Sequence, residues 1–188
     1  MEPDIEQKIK EMQSQIAELQ NRVTDIEDTH KDQLAMIVMS GDMDKILATM
    51  VVAVGAAAMD TEVKLFFTFW SIAALRDPKK KVSGKSFMAK MFGMMLPKGR
   101  NHLKLSKMNM AGYGPKIIRK LMKKQKVFSL DEFFQQAADL DIEIVICEMS
   151  MDLMGIKKEE IIDYPNLSYG GVATFLADAN ESRIQLFI

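Results

Sequence analysis

The chain has very little cysteine and histidine. Its 188 residues include one cysteine, Cys147, and two histidines, His30 and His102. A single cysteine excludes an internal disulfide, a CxxC redox pair and a cysteine-based zinc site. The two histidines are far apart and show no metal-ligand spacing. We therefore predict no metal and no cofactor, and the lack of disulfides fits a reducing cytoplasm, which is the location we predict.

The chain also lacks a long hydrophobic run. The longest, residues 46–59, has fourteen residues and is interrupted by Thr49 and Gly55. That length is short for a membrane span and suits a buried helix. The first residues are charged and polar, so we see no signal peptide. With 48% apolar and 27% charged residues, the composition predicts a globular domain with a sizeable core.

Acidic residues are nearly absent from one part of the chain. Between Arg76 and Lys126 there are sixteen Lys or Arg residues and one acid, Asp77, although the whole chain has a net charge of −1. This segment therefore carries +15 and the remainder −16. Such a separation predicts an anionic ligand, an acidic protein or an anionic membrane surface as a partner.

The N-terminal residues carry a heptad pattern without internal Gly or Pro. We assign residues 1–31 to a coiled-coil helix that joins copies of the chain into a homo-oligomer. The alternative is an amphipathic helix packed on its own domain. The predicted a positions end at His30, and the seam consists of Ile5, Ile9, Met12, Ile16, Leu19, Val23 and Ile26.

Apolar runs alternate with helical patterns through residues 32–188. Ser129 and Glu132 form a capping-box pattern at the start of one of the helices. The alternation predicts an α/β domain, a three-layer sandwich around a mainly parallel sheet of four to five strands. We predict strands at 34–39, 63–70, 142–147 and 183–188, the last at a sheet edge, helices at 43–59, from 129 and from Ser168, and a short element at 161–165.

Residues 76–114 do not fit this alternation. We interpret them as a basic, Met-rich insertion with a helix near residues 87–96. One interpretation is that the methionines cover the domain's own core. The other is an adaptable binding surface, either a lid over Cys147 or a segment that lies on a membrane interface.

Cys147 ends the apolar run 142–146 and precedes a short helical pattern that stops at Gly155. Parallel α/β sheets bind ligands beyond the carboxyl ends of their strands. Backbone N–H groups at the start of the next helix favour a thiolate. The alternative is that Cys147 is an ordinary buried apolar residue.

The stretch 147–156 resembles the DsrE/DsrF/DsrH-like family of sulfur-handling proteins, in particular its longer DsrE-like branch, sometimes labelled peroxiredoxin-family. Residues 44–45, 55–59 and 66–70 are also similar to that branch. The resemblance covers most of residues 34–188 and leaves the coiled coil outside. It implies a small α/β domain in which a cysteine ends a central strand and is followed by a helix and a glycine.

The resemblance implies a sulfurtransferase or sulfur carrier. Cys147 would be the catalytic residue, taking sulfane sulfur as a persulfide and passing it to a small TusA-like sulfur-carrier protein or a rhodanese. Lys98, Arg100 and His102 are our predicted binding residues for an anionic sulfur donor, with His102 a proton donor if the basic loop folds over the site, and Ser150 is a further binding residue beside the cysteine. Because no second cysteine exists, transfer must be intermolecular.

A second hypothesis needs no catalysis. The coiled coil would assemble subunits, and the basic Met-rich insertion would dock a protein or a membrane surface. Nucleic-acid binding ranks last, because the lysines are not interleaved with aromatics in any recognisable module, and we predict no nucleic-acid partner.

Overall fold

A parallel β-sheet forms the centre of the molecule. The computed structural model describes residues 2–29, 31–80, 82–84 and 86–188, with the backbone alone for 2–4 and 25–29. Within these residues the sheet has five strands in the order β4-β3-β2-β1-β5, all paired in parallel. They are β1 (Lys31–Val38), β2 (Glu62–Phe67), β3 (Glu143–Cys147), β4 (Leu167–Gly170) and β5 (Ser182–Phe187).

Helices cover both faces of this sheet, which confirms the predicted α/β sandwich. Helices α2 and α5 pack on one face and α7 on the other. The helices are α1 (Glu2–Thr29), α2 (Met43–Ala57), α3 (Phe87–Met95), α4 (Tyr113–Lys124), α5 (Leu130–Asp139), α6 (Glu148–Met154) and α7 (Val172–Glu181), with 3-10 helices at Phe69–Leu75, Arg100–His102, Met110–Gly112 and Lys158–Glu160.

Side-chain alternation along the strands divides the core in two. One face carries Leu65 and Ile144 toward α2 and α5, where most buried apolar side chains lie. The other carries Phe66, Val145 and Cys147 toward α7. The period of two therefore places the thiol on the thinner side of the core.

Local sequence signals explain where several helices begin. The Ser129 hydroxyl accepts a hydrogen bond from the Glu132 N–H, and the Glu132 carboxylate accepts one from the Ser129 N–H at 2.7 Å, which confirms the capping box of α5. Ser86 caps α3 in the same way by accepting from the Ala89 N–H at 3.3 Å. The predicted edge position of the last strand is also confirmed, because β5 pairs with β1 alone in the described sheet.

The second strand is shorter than predicted. It ends at Phe67, and residues Phe69–Leu75 form a 3-10 helix in place of its continuation. Phe69 has a left-handed φ of 47°, which breaks the extended backbone. The Ser71 hydroxyl then donates to the Val38 carbonyl at 2.6 Å, fixing the turn against β1.

One prediction near the C-terminus is wrong. Ser168 does not begin a helix but lies in β4, where it pairs with Val145 of β3, and the helix begins at Val172. Four residues are too few to show a strand period in the sequence. Within the short element predicted at 161–165, Ile161 forms an isolated antiparallel bridge with Arg76.

Two apolar surfaces remain uncovered. On α1 the seam from Ile5 to Val23 is exposed, contrary to the alternative that this helix packs on its own domain; the Ile26 side chain and His30 lie outside the described residues. On α3 Phe87, Met94 and Met95 are exposed by 82%, 85% and 71%, and Ala89 is the buried residue of the helix. The interpretation that these methionines cover the core is therefore wrong.

A helix that crosses a membrane must be both long and apolar. None of those in the described part of the chain combines the length and the apolar character needed to cross a membrane.

Candidate functional site

Cys147 is the last residue of β3, with neighbouring strands on both sides, and the residue from which α6 begins. It is 3% exposed and belongs to an apolar cluster with Phe66 and Val145, against which Met39 and Phe175 pack. The predicted position at the carboxyl end of a parallel strand is confirmed. The thiol nevertheless lies beneath side chains rather than open to solvent.

Polar groups surround the sulfur within this apolar cluster. Thr68, just beyond the end of β2, and Ser150, in the first turn of α6, are both buried, and their hydroxyl oxygens are 2.9 Å apart. Both hydroxyls, together with the N–H groups of Met149 and Ser150, are within hydrogen-bonding reach of the sulfur. Because one hydroxyl proton is used in the hydrogen bond between Thr68 and Ser150, the sulfur can accept from one hydroxyl and the two N–H groups at a time.

These donors change the acidity of the thiol. Burial raises the pKa of Cys147, because a thiolate loses hydration, but hydrogen bonds from Ser150 and then from Thr68 and Met149 outweigh that effect. The net result is a pKa below the ordinary thiol value of 9.0. A thiolate is the reactive form of cysteine, so the site favours the nucleophile.

A carboxylate lies next to the cysteine in the sequence. Glu148 is exposed, and its side chain accepts a hydrogen bond from the Lys158 ammonium at 2.8 Å. This ion pair keeps the negative charge compensated at the surface. Glu148 is therefore occupied by Lys158 on the outside of α6.

The glycine that ends α6 has two structural requirements. Gly155 has a left-handed φ of 62°, and an added Cβ would overlap the Cβ of Ala89 in α3. Only glycine combines this backbone conformation with so close an approach. Helix α3 of the Met-rich insertion thus packs directly on the end of α6, the helix that follows Cys147.

A buried ion pair holds the end of the same insertion. Arg76, 4% exposed, donates to the Glu160 carboxylate at 3.1 Å and to the carbonyls of Leu96 and Pro97 at 3.4 Å each. It also reaches the Gly93 carbonyl. The guanidinium therefore binds the C-terminal end of α3 to the loop after α6.

The other predicted binding residues lie apart from the thiol cluster. Ser150 does lie beside Cys147, but Lys98, Arg100 and His102 line a cleft together with Asp77 and Asp131. Arg100 pairs with the Asp131 carboxylate and stacks on the Phe134 ring, with its guanidinium carbon 4.8 Å from the ring centroid. The role of these three residues in binding a donor stays a prediction.

Sequence reasoning missed Thr68 and the Arg76–Glu160 pair. Thr68 was hidden because the second strand was predicted to run through it. Its position beyond an adjacent parallel strand was the available signal, since neighbouring strand ends share one edge of the sheet. Nothing in the sequence links Arg76 to Glu160, 84 positions away.

A metal site would need several ligand side chains close together. Within that part of the chain no three His, Cys, Asp or Glu side chains gather closely enough to hold a metal ion.

A parallel α/β sandwich with a hydrogen-bonded thiol at the end of an inner strand defines the class of protein. A family model described as the DsrE/DsrF/DrsH-like family matches residues 30–187. The chain belongs to this family. The match leaves out all of α1, and the resemblance deduced from the sequence is confirmed.

Individual relatives extend over nearly the same region. The chain is 44% identical to the uncharacterized protein YrkE of Bacillus subtilis strain 168, over 81% of this chain and 94% of that protein. It is 31% identical to the sulfur carrier protein DsrE2 of Allochromatium vinosum, over 83% and 98% of the two chains. The crystal structure of the YchN protein from E. coli aligns with 83% of this chain and 98% of its own at 10% identity, with a TM-score of 0.47.

Proposed function

We propose that the protein is a sulfur carrier that accepts sulfane sulfur on Cys147 as a persulfide and donates it to a partner protein. Family membership and the similarity to a sulfur carrier support a role in sulfur relay in general. The observation that carries the finer proposal is the set of hydroxyl and N–H groups around the Cys147 sulfur, from Thr68, Met149 and Ser150. They stabilise a thiolate before transfer and would stabilise the persulfide anion after it.

The chemistry needs no cofactor. With thiosulfate as donor, the Cys147 thiolate attacks the outer sulfur, the sulfur–sulfur bond of thiosulfate breaks, and sulfite leaves with the electron pair. In the second step a thiolate of the acceptor attacks the outer sulfur of the Cys147 persulfide and regenerates the Cys147 thiolate. Since the chain has one cysteine, that acceptor is another molecule, and we propose a small sulfur-carrier protein of the TusA type or a rhodanese in the cytoplasm.

Burial of the thiol has a consequence for loading. Because Cys147 is 3% exposed, a donor reaches the sulfur only when the side chains above it, including Phe175 of α7, move aside. The same cover would shield a bound persulfide from solvent thiols between transfers. Replacing Phe175 with Ala should therefore accelerate both loading and loss of sulfur.

The test is the mass of the intact protein after incubation with thiosulfate or inorganic polysulfide. Loading adds about 32 Da per sulfur atom, and peptide mapping should place the adduct on Cys147. Cys147→Ser should gain nothing. A folded wild-type protein that takes up no sulfur, under conditions in which the same chain unfolded in denaturant does, would sink the proposal.

We infer that α1 assembles copies of the chain through its exposed seam. Ile9 and Ile16 are about half exposed, at 50% and 51%, and recur seven residues apart, as a positions of a coiled coil do. Ile9→Asp with Ile16→Asp should reduce the oligomer measured by analytical ultracentrifugation. Ser14→Asp with Asn21→Asp, which adds the same charge on the face of α1 opposite the seam, is the matched control.

A docking role is the second candidate function, and the exposed apolar side chains of α3 favour it. Phe87, Met94 and Met95 project from a segment whose neighbours, such as Lys90 and Lys98, are exposed cations. This combination suits an anionic protein or a peripheral membrane contact. Flotation with anionic liposomes separates these two partners. If the partner is a membrane, wild type should float with the liposomes and Met94→Ser and Met95→Ser should float less. If the partner is an anionic protein, none of the three should float.

A further inference from the structure

A cavity lies apart from the buried Cys147 site. Its volume is about 500 Å³, and it lies between the end of α4, the start of α5 and the first residue of α2, Met43. Cys147 is not among the residues that line it. Cavities of this size commonly hold small molecules, so its chemistry was considered separately from sulfur transfer.

Arg119 supplies an unsatisfied cation to this cavity. Its Nη2 atom is buried and has no hydrogen-bond partner within the described residues. Desolvation lowers the pKa of Arg119 and Asp131 opposes that shift, but the Asp131 carboxylate is itself held by Arg100 and Asn101. A guanidinium stays charged in proteins, and a buried unpaired donor is costly, so an acceptor is expected opposite Arg119.

Lysines add to this charge. Lys123, in the last turn of α4, and Lys126 also line the cavity. Lys126 has a left-handed φ of 57° at the end of the helix, where the Val127 N–H donates to the Met122 carbonyl at 2.9 Å. This position favours glycine, so Lys126 occupies a backbone conformation that is unfavourable for a lysine.

One carboxylate, Glu132, lies among these cations. It accepts hydrogen bonds from the N–H and hydroxyl of Ser129, each at 2.7 Å, and these bonds lower its pKa. It is therefore ionised but occupied with capping α5. Three cations and one engaged carboxylate line the cavity, so its lining residues carry a net positive formal charge.

The inner wall of the cavity is apolar. Met43, Met122 and Leu130 line it and are 1%, 9% and 5% exposed. Methionine side chains adapt to ligands of different shape. A small inorganic anion would leave this wall without a contact, whereas a ligand with both an acidic head and an apolar body would use both parts of the site.

We propose that this cavity binds an amphipathic organic anion, with its carboxylate, sulfonate or phosphate head on Arg119 and its apolar body against Met43, Met122 and Leu130. Arg119 can hold such a head in a bidentate manner, because guanidinium and carboxylate geometries match. Lys123 and Lys126 provide the surrounding positive charge. The proposal is independent of the sulfur chemistry at Cys147.

The test uses 8-anilinonaphthalene-1-sulfonate as the probe with the full chain, in fluorescence titration and calorimetry. Arg119→Met should weaken binding about tenfold or more, because it removes a charged hydrogen-bonding partner. Arg183→Met is the matched control, since Arg183 is exposed in β5 and pairs with Asp32. N-phenyl-1-naphthylamine, which has the same aromatic body without the sulfonate, should bind more weakly than the probe.

Lys126→Gly keeps the test valid if Arg119→Met folds poorly. Glycine adopts the left-handed φ without strain, so this variant should melt at or above the wild-type temperature while binding the probe about two- to threefold more weakly. A stable variant with lost affinity separates a ligand role from a structural one. Unchanged affinity in Lys126→Gly, and in Arg119→Met where that variant folds, would overturn the proposal.

Location is tested by methyl NMR of ¹³C-labelled methionine. The probe should shift the methyl signals of Met43 and Met122 and leave those of Met94 and Met95 in α3 in place. Shifts confined to α3 would mean that the probe recognises the exposed apolar helix, and the cavity proposal would be wrong. Octanoate should displace the probe from wild type and have no such effect on Arg119→Met.

Discussion

Removing the Ser150 hydroxyl should raise the pKa of Cys147. This hydroxyl is the first of the hydrogen-bond donors that lower the pKa against the opposing effect of burial. A hydrogen bond to a charged group contributes about 1.5–3 kcal/mol, and one pKa unit corresponds to about 1.4 kcal/mol. The Thr68 hydroxyl remains available in Ser150→Ala, so we expect the low end of that range, a rise of about one pKa unit.

Thiolate absorbance near 240 nm measures this pKa directly, because the chain has one cysteine and a Cys147→Ser counterpart supplies the blank. Absorbance does not depend on whether a reagent reaches the buried sulfur. Ser106→Ala is the matched control, since the Ser106 hydroxyl bonds Asp44 and not the thiol. An unchanged midpoint in Ser150→Ala would refute the role assigned to these hydrogen-bond donors.

Thr68 provides an internal check on the same reasoning. Its hydroxyl oxygen lies 2.9 Å from that of Ser150, so the two hydroxyls orient each other. Thr68→Val should also raise the pKa, and the double variant should differ from the sum of the single effects. Strict additivity would mean that the hydroxyls act independently of this contact.

Three further predictions concern stability. Arg76→Met should destabilise the fold by about 3–5 kcal/mol in chemical unfolding, because the buried Glu160 carboxylate loses the Arg76 guanidinium. A double variant with Glu160→Met should recover part of this loss. Equal stabilities of the single and double variants would contradict this. Gly155→Ala should lower the melting temperature, costing about 2 kcal/mol or more through its left-handed φ and the contact with Ala89, whereas Gly84→Ala, with no atom near its Cβ position, should cost less. Because folding lowers the pKa of Cys147, the ionised thiol stabilises the fold above pH 9.0, and this contribution is lost as the pH falls through the folded-state pKa. The unfolding free energy of wild type relative to Cys147→Ser should therefore grow with pH. A difference that stays constant with pH would refute this prediction.

Much of the fold could be predicted because its signals are local. The apolar runs that became β1 and β3, and the capping residues before α5, are readable within windows of a few residues. Where the signal was short, prediction failed. The four residues of β4 were taken for part of a helix, and the end of β2 was hidden by the apolar residues of the following 3-10 helix.

The candidate site was predictable in part for the same reason. Cys147, Ser150 and Gly155 lie within nine consecutive residues, and their relation to a strand end and a helix start is local. Thr68 comes from a strand that is distant in sequence, and its proximity to the thiol depends on the order of strands in the sheet. No local pattern contains that order.

The distribution of charge shows the same division. The sequence places +15 between Arg76 and Lys126, yet the fold compensates several of these cations with acids from other segments. Arg76 meets Glu160, and Lys80 meets Asp163 at 2.7 Å, whereas Arg119 is left without a hydrogen-bond partner for its Nη2 atom among the described residues. The amino-acid sequence determines how many cations this segment contains. The tertiary structure determines which of them are paired with acids and which remain available to a ligand.

Local chemistry along the chain was therefore sufficient to specify an α/β domain with one thiol at a strand end and an exposed apolar seam before it. Long-range packing was needed to bring Thr68 to the sulfur, to bury that sulfur, and to form the cavity at Arg119. The physical reason is that periodicity and capping act over one or two turns of chain, whereas hydrogen bonds, burial and electric fields depend on distance in space.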